Sequence, residues 1–213
     1  MNSPSRYALY FAPEPGSDLD KFGADWFARV PEAPRHYGFH ATLKAPFRLA
    51  AGVDIDELID ELEQFCGERL ALALPALKVT LLEDFLALVP AAPDPAIQSI
   101  AAECVMRFDR FRAPLSDQDL ARRRPDRLGS LELQMLRHWG YPHVLELFRF
   151  HLSLTGPLGG TEVGRVGLLS AQGGKALGSL EPPLFGSICV FEEPEPRAAF
   201  HLIRRVPFMK AIR

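Results

Sequence analysis

Phe39-His40-Ala41-Thr42-Leu43-Lys44-Ala45-Pro46-Phe47 returns without a gap as Phe150-His151-Leu152-Ser153-Leu154-Thr155-Gly156-Pro157-Leu158. Phe, His, Leu and Pro are identical at matching positions, a hydroxyl residue stands two places after each histidine, and an apolar residue closes both copies. Repetition of this kind marks one structural unit used twice. Side chains alternate faces along a strand, so Phe39, Ala41 and Leu43 fall on one side and His40, Thr42 and Lys44 on the other. In the second copy Phe150, Leu152 and Leu154 point inward while His151, Ser153 and Thr155 project together. If a pseudo-twofold axis relates the halves, the two polar faces meet across a cleft.

The flanking segments read as strands and amphipathic helices. Arg6-Tyr7-Ala8-Leu9-Tyr10-Phe11 alternates as an opening strand, ended by turn residues at 13–16. A helix follows over 19–29, with Asp18 as its N-cap, and residues 37–47 form the first motif strand. Ile55, Leu58, Ile59, Leu62 and Phe65 mark a second helix capped by Asp54. Apolar runs at 77–82 and 85–89 pair as strands, and a helix covers 95–108. Residues 113–129 interrupt the pattern with Pro114, Pro125 and the basic group Arg122, Arg123, Arg124 and Arg127. Residues 130–139 are helical and 146–155 alternate as the second motif strand. A helical period then runs over 163–180 against the cost of Gly173-Gly174, about 1 kcal/mol per glycine relative to alanine. Strands at 185–191 and 200–206 close the chain.

The expected fold is α+β: a bilobal internal duplication whose antiparallel sheets face a central cleft, with helices outside. The 213 residues are read as one bilobal domain. Its first lobe spans about 6–108, a connecting insertion about 109–129 and the second lobe about 130–213, with exchange of strands between lobes allowed.

Composition narrows the function classes. Hydrophobic residues make up 47% and charged residues 24%, as in ordinary folded domains. With 24 Lys+Arg against 27 Asp+Glu and a net charge of −3, no global positive field exists to hold long nucleic acid. A small phosphorylated substrate needs only a local basic pocket. No apolar run approaches a membrane span and the first six residues lack the pattern of a secretory signal, so the expectation is a cytoplasmic protein with no membrane partner. Cys66, Cys104 and Cys189 are scattered and read as buried free thiols. No His-Glu-x-x-His or clustered Cys/His spacing appears, so neither a metal nor a cofactor is expected.

Paired imidazoles suit phosphoryl chemistry. With an unperturbed pKa of about 6.5, one ring can accept a proton from water near neutral pH while its protonated twin donates to the leaving oxygen. Thr42 and Ser153 can donate to non-bridging phosphate oxygens, and Lys44 could add a charge there. The catalytic set is therefore His40, Thr42, His151 and Ser153. Lys44, Tyr10, Thr155 and Arg124 are candidates for substrate binding, Arg124 through a phosphate-gripping basic flap. Against this stand blander readings: a surface lysine, core aromatic rings, and a solvated helix end for the arginines. His36, His138, His143 and His201 have no matching partner and are read as structural or solvated.

The paired His-x-Thr and His-x-Ser motifs resemble those of the two-histidine (2H) phosphoesterase superfamily, which includes RNA ligase-like proteins and cyclic nucleotide phosphodiesterases. The strings Arg6-Tyr7-Ala8-Leu9-Tyr10-Phe11, Tyr37-Gly38-Phe39-His40-Ala41-Thr42-Leu43-Lys44, Phe111-Arg112-Ala113-Pro114-Leu115 and Phe148-Arg149-Phe150-His151-Leu152-Ser153-Leu154-Thr155-Gly156 are similar to a phosphonate-metabolism family of unknown function, often encoded beside carbon–phosphorus lyase genes. The resemblance covers nearly the whole chain. It implies the 2H, RNA ligase-like fold, a metal-independent phosphoric diester hydrolase of the cyclic phosphodiesterase type, and a small nucleotide or sugar phosphate as substrate. A non-catalytic nucleotide or RNA-end binding protein is the alternative.

Overall fold

A computed structural model describes residues 5–159, 163–178 and 180–209. Residues 1–4 of the amino terminus, read above for a secretory signal, lie outside them, as does position 179 of the last expected helix. The described residues form an α+β fold built on two larger antiparallel sheets and a two-stranded one. Strand β1 (Arg6–Phe11) leads into helix α1 (Asp18–Arg29), strand β2 (Ala41–Phe47) and helix α2 (Ile55–Gly67). A short strand β3 (Leu72–Ala73) precedes the hairpin β4 (Leu77–Leu82) and β5 (Phe85–Pro90), followed by helix α3 (Pro95–Arg107). Helices α4 (Asp117–Arg122) and α5 (Ser130–Trp139) lead to strand β6 (Leu152–Ser153) and helix α6 (Val163–Leu177). Strands β7 (Leu184–Phe185), β8 (Ser187–Glu193) and β9 (His201–Pro207) end the fold.

Strand order separates the motifs. One sheet runs β2-β1-β8-β9 and carries the first motif; another runs β4-β5-β6 and carries the second; β3 and β7 pair by themselves. Each of the two larger sheets therefore draws strands from both halves of the sequence. Apolar side chains between them form one core in which Phe11 of β1 packs on Phe150 at 5.6 Å and on Phe185 at 5.1 Å between ring centroids. Phe150 immediately precedes His151, so this contact fixes the second motif against the first sheet. Burying a side chain of that size contributes about 1.5–3 kcal/mol.

Local chemistry explains where elements begin and where the alternation rule misplaces them. Asp54 caps α2 in a reciprocal box with Glu57, as the pattern indicates, whereas Ser17 rather than Asp18 caps α1, its hydroxyl accepting from Asp20 N. The first motif strand starts at Ala41, not at 37: residues 35–38 turn, with Gly38 at φ +72°, and His40 stands just ahead of the strand. Of the segment 146–155 only Leu152–Ser153 pairs as a strand, after a 3-10 turn at Leu145–Leu147. Helix α6 runs straight through Gly173-Gly174. A Cβ on Gly173 would stand 3.0 Å from Val79 Cγ2 and 3.4 Å from Trp26, so the glycine lets α6 lie directly on β4 and α1. The three cysteines are free and buried, and burial pushes the thiols up, Cys66 to about 12 and Cys189 to about 11. No helix among the described residues is long and apolar enough to cross a membrane.

Phe39, the first motif's own aromatic residue, lies against α1, with its ring 6.0 Å from Phe22 and 5.7 Å from Phe27. The helix admits it only because residue 23 lacks a side chain: a Cβ there would stand 2.1 Å from Phe39 Cδ1. Gly23→Ala is thus expected to cost about 1–3 kcal/mol through overpacking, despite alanine's better helix propensity, and to lower any activity of the adjoining His40. A urea midpoint equal to or above that of the parent chain would contradict this packing.

Candidate active site

Between the two sheets opens a cavity of about 620 Å³ whose wall includes His40, Thr42, His151 and Ser153. Both imidazoles are oriented the same way. His40 Nδ1 donates to the Gly38 carbonyl at 3.2 Å and His151 Nδ1 to the Arg149 carbonyl at 2.7 Å, each bond reaching back two residues. A carbonyl only accepts, so Nδ1 carries the hydrogen and Nε2 is left as the basic nitrogen. At Gly38 the left-handed backbone, open to glycine at little cost, aims the carbonyl that sets this tautomer. The Thr42 hydroxyl lies 3.3 Å from His40 Nε2. Among the described residues the Ser153 hydroxyl has no protein partner.

His40 stacks on Tyr10, with ring centroids 3.7 Å apart and planes 17° from parallel. Tyr10, a candidate for substrate binding, lines the cavity with only 1% of its surface exposed, and its ring forms the platform beneath His40. Burial lowers the His40 pKa to about 4, and the charge His151 would carry pushes in the same direction. Burial also lowers the pKa of His151, against the bond to Arg149 that raises it. Both rings are thus neutral in the free protein near neutral pH.

Between pH 6.5 and 4 the unfolded chain binds a proton at position 40 that the folded chain refuses, so stability rises with pH through this window and is lost as pH falls. His40→Gln is expected to flatten the urea midpoint against pH over that interval. An unchanged slope would mean that burial does not hold the ring neutral.

Three further sequence candidates lie outside the cavity wall. Lys44 is buried, its ammonium donating to the Val105 carbonyl and to Asp109 Oδ1, both at 3.1 Å. The reason is a β-bulge: Tyr10 pairs with Thr42, but Leu9 pairs with Lys44, and the register shift between these pairs turns Lys44 to the core face. Thr155 is buried because β6 ends at Ser153, after which Leu154 N and Thr155 N both bond the Leu86 carbonyl and the Thr155 hydroxyl accepts from Leu86 N at 3.0 Å. Arg124 is exposed, in a left-handed turn at φ +47° that carries it away from the wall. Its neighbours Arg122 and Arg123 line the cavity in its place.

The segment after α3 supplies this wall by folding back along the end of β2. Ala50 N bonds the Phe111 carbonyl at 2.9 Å and Ala113 N the Arg48 carbonyl at 2.8 Å, and an Arg48–Asp119 ion pair holds α4 on the same edge. Arg6, Arg48, Arg112, Arg122, Arg123 and Arg197 all face the cavity, whereas the overall charge of the chain is negative. Several already have carboxylate partners: Arg6 with Glu193, Arg48 with Asp119 and Arg112 with Asp109. His36, read as structural, also lines the cavity, its Nε2 3.9 Å from Glu193 Oε1. Sequence spacing gave little sign of this basic lining, because most of the arginines come from strands and loops that are distant along the chain. The one local signal was the dense group at 122–127.

Comparison with known proteins bears on both fold and family. Residues 42–201 match a family model described as "Protein of unknown function (DUF1045)". The protein named ribose 1,5-bisphosphate phosphokinase PhnN from Janthinobacterium sp. (strain Marseille) is 34% identical over 97% of this chain, and the one so named from Laribacter hongkongensis (strain HLHK9) is 31% identical over 97%. The chain spans about half the length of these relatives, 51% and 52% respectively. Among solved structures, E. coli LigT complexed with phosphate superposes with a TM-score of 0.50 at 12% identity, over 98% of this chain and 99% of that one. At that identity the likeness is one of fold, and it is the 2H phosphoesterase fold expected from the repeated motif.

Proposed function

This chain belongs to the DUF1045 family, defined without a function, and from that premise we propose that it is a metal-independent 2H phosphoesterase opening a cyclic phosphodiester of a small sugar or nucleotide phosphate. The observation that carries the reading is the pairing of His40 and His151 on one cavity, each held by a backbone carbonyl in the tautomer that leaves Nε2 basic. A bound phosphodiester anion raises the pKa of both rings. His40, already opposed by burial and by His151, resists the proton more and accepts one from water; His151 carries the charge and protonates the departing sugar oxygen. Thr42 and Ser153 donate to the non-bridging oxygens, where charge builds in the transition state.

The relatives' name makes ribose phosphate esters the first substrates to test, and it suits the phosphonate-breakdown setting that the sequence strings resemble. Phosphokinase activity in those proteins is assigned here to the half of their length that this chain does not span; a Gly-x4-Gly-Lys-Ser/Thr phosphate loop does not occur in the present sequence. The deciding experiment incubates the protein with 2′,3′-cyclic nucleotides and ribose cyclic phosphates in the presence of EDTA. Appearance of a monophosphate is expected. Recovery of every substrate intact after long incubation would favour a nucleotide or RNA-end binder instead.

A further inference from the structure

Arg123 differs from the other half-buried arginines of the cavity. Its guanidinium carbon sits 4.7 Å above the centre of the Tyr141 ring, and both residues line the same cavity as the two histidines. A cation–π contact of this kind supplies no hydrogen-bond acceptor to the guanidinium N–H groups beyond the ring itself. Arg6, Arg48 and Arg112 direct theirs to carboxylates, but among the described residues the Arg123 side chain makes no hydrogen bond or ion pair. Burial works against its charge and lowers its pKa with no carboxylate in contact to compensate. A desolvated cation in this state is costly unless an anion completes it.

Size points the same way. A cavity of about 620 Å³ is far larger than one phosphate and falls within the ~300–1,000 Å³ range of sites that enclose whole small molecules. The histidine pair and its two hydroxyls come from the two motif segments, while Arg123 and Tyr141 come from the segments around α4 and the end of α5.

We infer that Arg123, held over the Tyr141 ring, forms a second anion subsite that takes a phosphomonoester carried by the same substrate whose cyclic phosphodiester lies between the histidines. The inference rests on the proposed phosphodiesterase reading. It makes the preferred substrate doubly phosphorylated, and it makes Arg123 a specificity residue that grips the group not undergoing reaction. Paired donors on a planar fork match a terminal phosphate, which a lysine would hold only as a point charge.

The test compares adenosine 2′,3′-cyclic phosphate with its 5′-phosphorylated counterpart. The parent protein is expected to favour the doubly phosphorylated compound in kcat/KM by on the order of 10- to 100-fold, as for charged hydrogen bonds. Arg123→Ala should collapse that ratio to near one and Arg123→Lys should keep part of it; Arg123→Gln serves if the alanine variant does not fold. Equal kcat/KM for the two substrates in the parent, or a ratio unmoved by the substitution, overturns the subsite. Ribose 5-phosphate supplies a readout without turnover: it should raise the Tm of the parent but not of the Arg123 variants. If no cyclic phosphate is hydrolysed and this Arg123-dependent protection persists, the phosphodiesterase reading fails and the subsite stands. Equal protection of parent and variant overturns the subsite whatever the activity.

Discussion

Replacing either His40 or His151 by alanine is expected to lower kcat for a cyclic phosphodiester by about 10²- to 10⁴-fold, the usual contribution of a positioned general acid or base. The two changes together should cost much less than the product of the two single losses, because the rings act on one proton inventory and removing either breaks the cycle. The roles separate by leaving group. A sugar alkoxide must be protonated as it departs, whereas p-nitrophenolate leaves without a proton. On a p-nitrophenyl phosphodiester, His151→Ala should therefore lose markedly less activity than His40→Ala, while on a sugar cyclic phosphate the two losses should be similar. The reverse order would exchange the acid and base assigned from the stronger depression at His40. Unchanged turnover in both variants would remove the histidines from the chemistry altogether.

The repeat made the architecture legible because it is a property of the chain rather than of its surroundings. Two matched nine-residue strings, each closed by an apolar residue, required two similar strands whose polar faces needed a common purpose, and both motifs do line one cavity. Hydrophobic periodicity and capping chemistry were similarly local, so α2 with its Asp54–Glu57 box and the β4–β5 hairpin could be read directly. What failed was the extension of strict alternation beyond two residues past each histidine. At Lys44 a bulge against β1 reverses the face, and at Thr155 the strand has already ended and the hydroxyl turns back to Leu86. Bulges depend on the partner strand, which the string itself does not contain. The arginine lining was hidden for the same reason, since Arg6, Arg48, Arg112 and Arg123 meet only after β1, β2 and the segment before α4 are folded together.

Lys44 and Asp109 give the second large effect, on stability. Asp109 is the shared counter-ion of two cations: Lys44, 3% exposed, at 3.1 Å, and Arg112, which reaches it with Nε at 2.8 Å and a second nitrogen at 3.1 Å. Burial lowers the Lys44 pKa to about 8, against the opposing pull of Asp109, and without that carboxylate the buried ammonium keeps only the neutral Val105 carbonyl as a partner. Asp109→Ala should accordingly destabilise the fold by about 3–5 kcal/mol, as when one partner of a buried ion pair is removed. Lys44→Met, of similar length and apolar, should cost clearly less, because Asp109 keeps its two-point contact with Arg112. The order follows from which charge is left alone, and it can be read from urea midpoints of the two variants. Arg112 also donates to the His138 carbonyl at 3.0 Å and lines the cavity, so it joins the end of α5 to the wall beside the histidines. Loss of Asp109 should then reach the site as well, raising KM for a cyclic phosphate in the fraction that remains folded. If Lys44→Met proves the more damaging change, the carboxylate is not what secures this corner, and the packing of the lysine stem against β2 and α3 is.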